Sequence, residues 1–312
     1  MPPRREHAIC LRHAEWSETS QIVTLLTERD GLVRGLAKGS LRPRADFSGG
    51  FETLTRGEVV YFAKRSGLST LASWDVADTA RAFRTDLTAQ RLALYAVDLT
   101  AHLILDHDPH PRTYAALAAL LDALGARRER APRLEALARF QTGLLHEIGL
   151  LPDWGPAERP QVPPAERDRL SAASTPNTEP VFRFIPDIGR VLPQAGAPSD
   201  AVAEPGWAVR ASTVSLLRAL ADQDLGHGRT GPAPRPHDSA TPERAFAPPN
   251  GDREAGDSDD RALIAARAIG LLDAWCGVLI GKRPPASGVL DACLAQSGWK
   301  PTGDEVPRAG SR

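Results

Sequence analysis

The sequence predicts an α+β chain of more than one domain: a small closed β-barrel, then a bundle of α-helices. Three observations predict this. Five short apolar or β-branched runs fall within residues 6–78, bounded by turn residues. From Asp78 onward the apolar residues recur at helical spacing. The chain has 312 residues, about twice the length of an ordinary domain.

Ala8-Ile9-Cys10-Leu11 is the first apolar run. Gln21-Ile22-Val23-Thr24-Leu25-Leu26-Thr27 is strand-like, and Arg29-Asp30-Gly31 turns it into Leu32-Val33-Arg34-Gly35-Leu36-Ala37. Gly57 to Lys64 is a fourth strand, Gly67 marks a turn, and Leu68 to Trp74 is the fifth. Five strands this short suit a closed barrel, because an open sheet would leave edges unpaired. Within 79–107, Leu87, Leu92, Leu94, Tyr95, Leu99, Leu103 and Leu105 give a helical stripe that Asp106 to Pro111 breaks. Helices over Pro111 to Leu124 and Pro132 to Ile148 end near Gly125 and Gly149. Such stripes with short connections suit an antiparallel bundle.

Residues 152–210 form a Pro-rich segment, poorly periodic over 152–181 and with a hairpin pattern over Val181 to Leu192. A helix follows over Ser212 to Gln223, within 211–225. Residues 226–256 contain 11 Gly or Pro and lead into the acidic run Asp257-Ser258-Asp259-Asp260, so 226–260 reads as a disordered insert. Helix resumes from Arg261 to Gly281 and again from Gly288 to Gln296, within 261–299, and 300–312 is a polar tail. The barrel occupies 1–78 and the first part of the helical domain 79–151.

Hydrophobic residues make up 42% and charged residues 25%, which excludes collagen-like and fully disordered classes. Apolar runs such as Leu117 to Leu121 are too short to cross ~30 Å of lipid. The apolar run after Met1 to His7 is only four residues long, too short for an h-region, so no signal peptide is expected. Three scattered cysteines argue for a reducing, cytoplasmic compartment and against a disulfide framework. Only four of 38 basic residues are lysine, a skew read as coding bias. With a net charge of -1, any nucleic-acid role must come from a local patch.

One such patch stands out. Arg34, Lys38, Arg42 and Arg44 place four cations in 11 residues with no acid among them, where a strand enters a Gly- and Pro-bearing loop. Cations on barrel loops reach successive phosphates; solvated surface charge is the plainer reading. Lys64 and Arg65, at the end of a later strand, extend the patch. Trp16, Phe47 and Tyr61 offer faces on which bases stack, and suit a small barrel's core equally. His102, Asp106, His107, Asp108 and His110 have metal-ligand chemistry, with His102 and Asp106 at helical i, i+4 spacing. No second cluster completes a ligand set, so we read them as a polar helix terminus. Gly277 to Arg283 lacks the spacing and the Ser or Thr of a phosphate loop. Cys276 sits in an apolar helical pattern, and His146-Glu147 lacks a second His at metalloprotease spacing. We assign no catalytic residues, no metal and no cofactor.

The run Ala8-Ile9-Cys10-Leu11-Arg12, then Trp16-Ser17-Glu18-Thr19-Ser20, Val23 to Gly31, Gly35-Leu36-Ala37-Lys38-Gly39 and Arg42-Pro43-Arg44 resembles the N-terminus of the bacterial RecO family. Leu144 to Trp154 looks like the family's helix end before its zinc module, and Arg261 to Pro285 like its C-terminal helix. The resemblance implies an OB-fold barrel joined to a helical domain, with a non-enzymatic role in DNA repair and recombination. It implies binding of single- and double-stranded DNA, annealing of complementary strands, and work with RecR to load RecA onto strands coated with single-strand-binding protein, whose C-terminal tail is a further partner. The expected location is then cytoplasmic, with the nucleoid. Lys38, Arg42 and Arg44 match the family's DNA-contacting loop; Arg34, Lys64 and Arg65 are added from charge and position. The chain departs from the family at 152–200, which contains no cysteine. We therefore expect a degenerate zinc-module region without metal. A rival reading is an OB-fold adaptor that mainly binds protein tails, in apolar grooves between helices.

Overall fold

The computed structural model describes residues 2–64, 67–155, 179, 181–193, 206–226 and 254–299. Five strands, β1 (Arg4–Ser17), β2 (Ser20–Thr27), β3 (Gly31–Ala37), β4 (Arg56–Phe62) and β5 (Ser69–Asp78), close into a barrel in the order β1-β2-β3-β5-β4. Every pairing is antiparallel except β3 with β5, which is parallel over Gly35↔Ser69 to Ala37↔Leu71. This is the five-stranded OB barrel. β1 is far longer than the four apolar residues that announced it. Its second half is exposed from Arg12 to Ser17 and stays paired with β2 beyond Ile9, where its pairing with β4 ends.

Inside the barrel, Ala8, Cys10, Val23, Leu25, Val33, Val59, Tyr61, Leu71 and Trp74 meet Phe47 and Phe51 from the loop after β3. Phe51 stacks on Trp74 at 5.0 Å and 22°. The outward side chains Ile9, Leu11, Leu26 and Leu32 do not face water; they belong to the core of the helical domain. One half of the barrel wall is therefore apolar on both faces.

A 3-10 turn (Arg81–Phe83) leads into α1 (Leu87–Leu103), α2 (Pro111–Ala126) and α3 (Arg130–Glu147). Asp86 caps α1 by accepting from the Ala89 amide at 3.0 Å, and also accepts from Arg133 at 2.6 Å and Arg128 at 2.9 Å. The Arg133 guanidinium beside it, above all, holds the Asp86 carboxyl down to about 2. α1 stops at Leu103, so Asp106 does not share a helix face with His102. The loop after α1 lies instead against β3: Asp106 bridges Leu32, the His107 amide donates to the Leu32 carbonyl at 2.9 Å, and Arg34 pairs with Asp106 at 3.1 Å. Gly31 there has φ +68°, and a Cβ on it would fall 1.9 Å from the Asp108 carbonyl oxygen.

Beyond the bundle's first half, β6 (Val181–Ile185), β7 (Arg190–Pro193) and β8 (Trp207–Arg210) form a three-stranded sheet in the order β7-β6-β8. The hairpin was anticipated and its third strand was not. Helices α4 (Ala211–Gly226), α5 (Glu254–Ile280) and α6 (Ser287–Leu294) complete the fold. α5 begins at Glu254, so the last seven residues of the expected insert are helical; 227–253 and the expected tail, 300–312, lie outside the described residues. Over Asp257–Ile280, α5 is long and apolar enough to cross a membrane, contrary to the expectation from short apolar runs. More than half of that span is buried, as befits a central core helix. Its deeply buried Asp273 accepts from Tyr95 of α1 at 3.1 Å, Ser287 of α6 at 2.6 Å and Arg283 at 3.0 Å, while Gln141 of α3 donates to the Tyr95 hydroxyl at 2.7 Å. Four helices thus share one buried polar cluster, in which only the Gln141 Oε1 lacks a partner among the described residues.

Asp86→Ala removes a helix cap and the partner of a nearly buried guanidinium. It is expected to cost about 2–4 kcal/mol in urea unfolding at neutral pH. The Asp86 carboxyl titrates near 4 when unfolded and lower when folded, so its contribution is full above about pH 4. The gap between wild type and variant should close as the pH falls from about 4 toward 2.

Candidate nucleic-acid interface

The helices cover one half of the barrel wall and leave the other free. Cross-strand pairing aligns Ala14, Ile22, Leu36, Thr70 and Phe62 in one row across β1, β2, β3, β5 and β4. All five are partly or fully exposed, while the neighbouring row of Gln21, Ala37, Leu71 and Tyr61 is buried. Side chains alternate along each strand, so the first row faces outward. This is the wall of strands 2 and 3, which OB barrels present to oligonucleotides together with the loops after strands 1 and 4.

Arg34 and Lys38 lie on the same outward face of β3 and its continuation, on either side of Leu36, and both are exposed. Their states differ: Arg34 is held by Asp106. Arg42 and Arg44 follow on the turn after β3, and Lys64 stands at the end of β4. Arg65 lies outside the described residues. Among the described residues, the charged heads of Lys38, Arg42, Arg44 and Lys64 have no carboxylate partner. Elsewhere on the barrel arginines are neutralised in place, as in Arg4 with Asp30, Arg5 with Glu58 and Arg56 with Asp78 and Asp122.

The basic turn is built firmly. Buried Gln21 accepts from the Phe51 amide at 2.9 Å and from the Ser40 hydroxyl at 3.0 Å, and donates to the Phe51 carbonyl at 3.1 Å. The Gly39 amide donates to Ser20 Oγ at 3.0 Å, and the Leu41 amide to the Thr19 carbonyl at 3.0 Å. These two bonds tie the turn to the tip of the β1–β2 hairpin. The Arg42 side chain lies over Gly39, and Arg44 has φ 64°. With Phe47 and Phe51 plugging the barrel below, the turn shows its cations to solvent together with Leu41, which is 37% exposed.

The three aromatic candidates separate. Phe47 and Tyr61 are core; Trp16 is 64% exposed at the hairpin tip. Phe62, which sequence reasoning passed over, is 41% exposed at the other end of the outward row. Its alternation with buried Tyr61 was the available signal.

The helix-terminal histidines do not converge. His102 sits beside Asp98 and the Arg12 guanidinium, and His110 Nε2 lies 3.0 Å from Asp108. Among the described residues no three His, Cys, Asp or Glu side chains form a metal-sized group. Cys10, Cys276 and Cys293 are buried, and burial pushes the thiols up, Cys10 to about 12. A zinc module does not fit the small sheet. Residues 151–226 contain neither cysteine nor histidine. In its place Phe184 gathers Trp154, Trp207 and Trp275, with ring centroids 5.3–5.9 Å away.

A closed five-stranded barrel with one open, cation-bordered wall, joined through its other wall to a helical bundle, makes this an OB-fold protein with a helical domain. Residues 1–80 match the family model for the N-terminal part of recombination protein O, and residues 84–155 that for its C-terminal part. A DNA repair protein RecO of Anaeromyxobacter sp. (strain Fw109-5) is 30% identical over 217 residues, 69% of this chain and 78% of that protein. Another, of Anaeromyxobacter sp. (strain K), is 38% identical over 149 residues, 46% of this chain and 56% of that protein. That of Myxococcus xanthus is 31% identical over 168 residues, 54% and 68% of the two chains. The chain belongs to the RecO family, and its aligned part spans about half the length of several curated relatives.

Replacing Gln21 by Ala leaves the Phe51 amide and carbonyl and the Ser40 hydroxyl without their partner. A loss of about 2–4 kcal/mol in urea unfolding is expected. Metal analysis of the purified protein should find no stoichiometric zinc, and a chelator should leave its thermal midpoint unchanged.

Proposed function

We propose that this protein is a non-enzymatic, cytoplasmic, nucleoid-associated DNA repair and recombination mediator. It binds single- and double-stranded DNA on the free wall of its barrel and anneals complementary strands. In this reading it works with RecR to load RecA onto strands coated with single-strand-binding protein. Support at the level of DNA repair comes from family membership and from relatives named DNA repair protein RecO. The observation that carries the DNA-binding part is the contrast in charge pairing. Lys38, Arg42, Arg44 and Lys64 keep their charge unneutralised around the outward row, whereas Arg4, Arg5 and Arg56 do not. Phosphates displacing counterions from such a patch give affinity that falls with salt and depends little on sequence.

One observation favours the tail-binding adaptor as a second reading. A cavity of about 260 Å³ between α1, α3 and α6 is lined by Leu92, Leu134 and Cys293 and by Arg130, with Arg128 and Arg133, both paired with Asp86, beside them. An acidic, apolar-ended tail such as that of single-strand-binding protein suits this lining.

The test is annealing of two labelled complementary oligonucleotides, followed by energy transfer at low and moderate salt. The Lys38→Ala, Arg42→Ala, Arg44→Ala triple variant should stay folded and lose most annealing. The slope of log affinity for single strands against log salt should shrink by about 2, near 0.7 per lost phosphate contact. Unchanged annealing would remove the barrel wall as the DNA site. Absent annealing in wild type, with tight tail binding, would favour the adaptor.

A further inference from the structure

We infer that Trp16 is a base-stacking residue that gives the barrel a preference for unpaired strands; this rests on the DNA-binding reading above. Three independent features of the hairpin tip lead to it. First, of six tryptophans, Trp74, Trp154, Trp207, Trp275 and Trp299 are at most 8% exposed and Trp16 is 64% exposed. A single exposed apolar residue is ordinary on a surface, so this exposure counts only together with the two features that follow. Second, Trp16 is the extra residue of a β-bulge: Glu15 pairs with Gln21 and Ser17 with Ser20, leaving Trp16 without a cross-strand partner. A bulge re-aims a side chain away from the ladder and is common beside functional sites. Third, the Gly39–Ser20 and Leu41–Thr19 hydrogen bonds fasten the tip that carries Trp16 to the turn that carries the cations of 38–44.

The charges sort the two parts of a nucleotide. Glu15 and Glu18 stand on either side of Trp16 in the chain and are exposed, so the tip itself repels phosphates. The turn attracts them. A strand crossing here places its backbone on Lys38 and Arg42 and turns its bases toward Trp16. Stacking needs an open base face, which a single strand offers and a continuous duplex does not. Phe62, at the far end of the outward row beside Lys64, marks where the same strand would leave the wall.

The experiment uses the full chain, a thymidine 20-mer and an abasic backbone of equal charge, with affinities measured across a salt series. Trp16→Ala should bind the 20-mer about tenfold more weakly with an unchanged salt slope, and Trp16→Phe should recover most of the loss. Neither substitution should alter binding of the abasic backbone or the thermal midpoint. Acrylamide should quench one exposed tryptophan in free wild type, and the 20-mer should protect it. Equal 20-mer binding by wild type and Trp16→Ala, or an equal loss on the abasic backbone, overturns the stacking role while leaving the DNA-binding reading intact. A Trp16→Ala effect on self-association in sedimentation, with 20-mer binding unchanged, also overturns it and makes the tip a contact between copies. Salt-insensitive binding, or none, by wild type would instead bring down the DNA-binding reading.

Discussion

The arrangement depends on one constraint: half of the barrel wall has no surface of its own. Ile9, Leu11, Leu26 and Leu32 point outward from β1, β2 and β3 and are buried with the side chains of the helices. Each such side chain is worth about 1.5–3 kcal/mol when removed from water, so the helical domain is fixed to that wall. Everything exposed on the barrel is then what the helices do not cover. The position of the candidate interface follows from hydrophobic burial before any charge is considered.

Within the free half, the same alternation does a second task. Inward residues of β3 and β5 fill the barrel, and their outward neighbours form a mildly apolar row with cations at its borders. The turn after β3 combines the two roles. Its Phe47 and Phe51 close the barrel, and this anchors Lys38, Arg42 and Arg44 without spending their charge on ion pairs. Such rigidity lowers the entropy lost when a flexible strand is engaged.

Much of this was legible in the sequence, and the gaps have physical causes. β2, β3 and the turn between them were readable because β-branched residues and Asp30-Gly31 give consistent local signals. Only four residues of β1 are legible in the sequence because Arg12 to Ser17 are exposed on both sides and so show no alternation. α5 was read late because its first turn carries acids and glycine, and its helicity comes from packing further along. Cation positions were visible, but their pairing was not: Asp106 neutralises Arg34 from 72 positions away in the chain, and only the fold brings them together. Trp16, Phe47 and Tyr61 looked alike as letters, and burial alone told them apart.

The loop after α1 has a further consequence. β3 meets β5 only from Gly35 to Ala37, so the side of Leu32 to Arg34 away from β2 would otherwise show bare backbone donors and acceptors. Asp106 and His107 occupy that stretch by a bridge and a hydrogen bond, and Gly31 lets the loop come close enough to do so. An exposed strand border invites sheet extension by other copies, the first step toward amyloid-like stacking. A bundle connector thus serves as the seam of the barrel, and loosening it would endanger colloidal behaviour before it touched any binding surface.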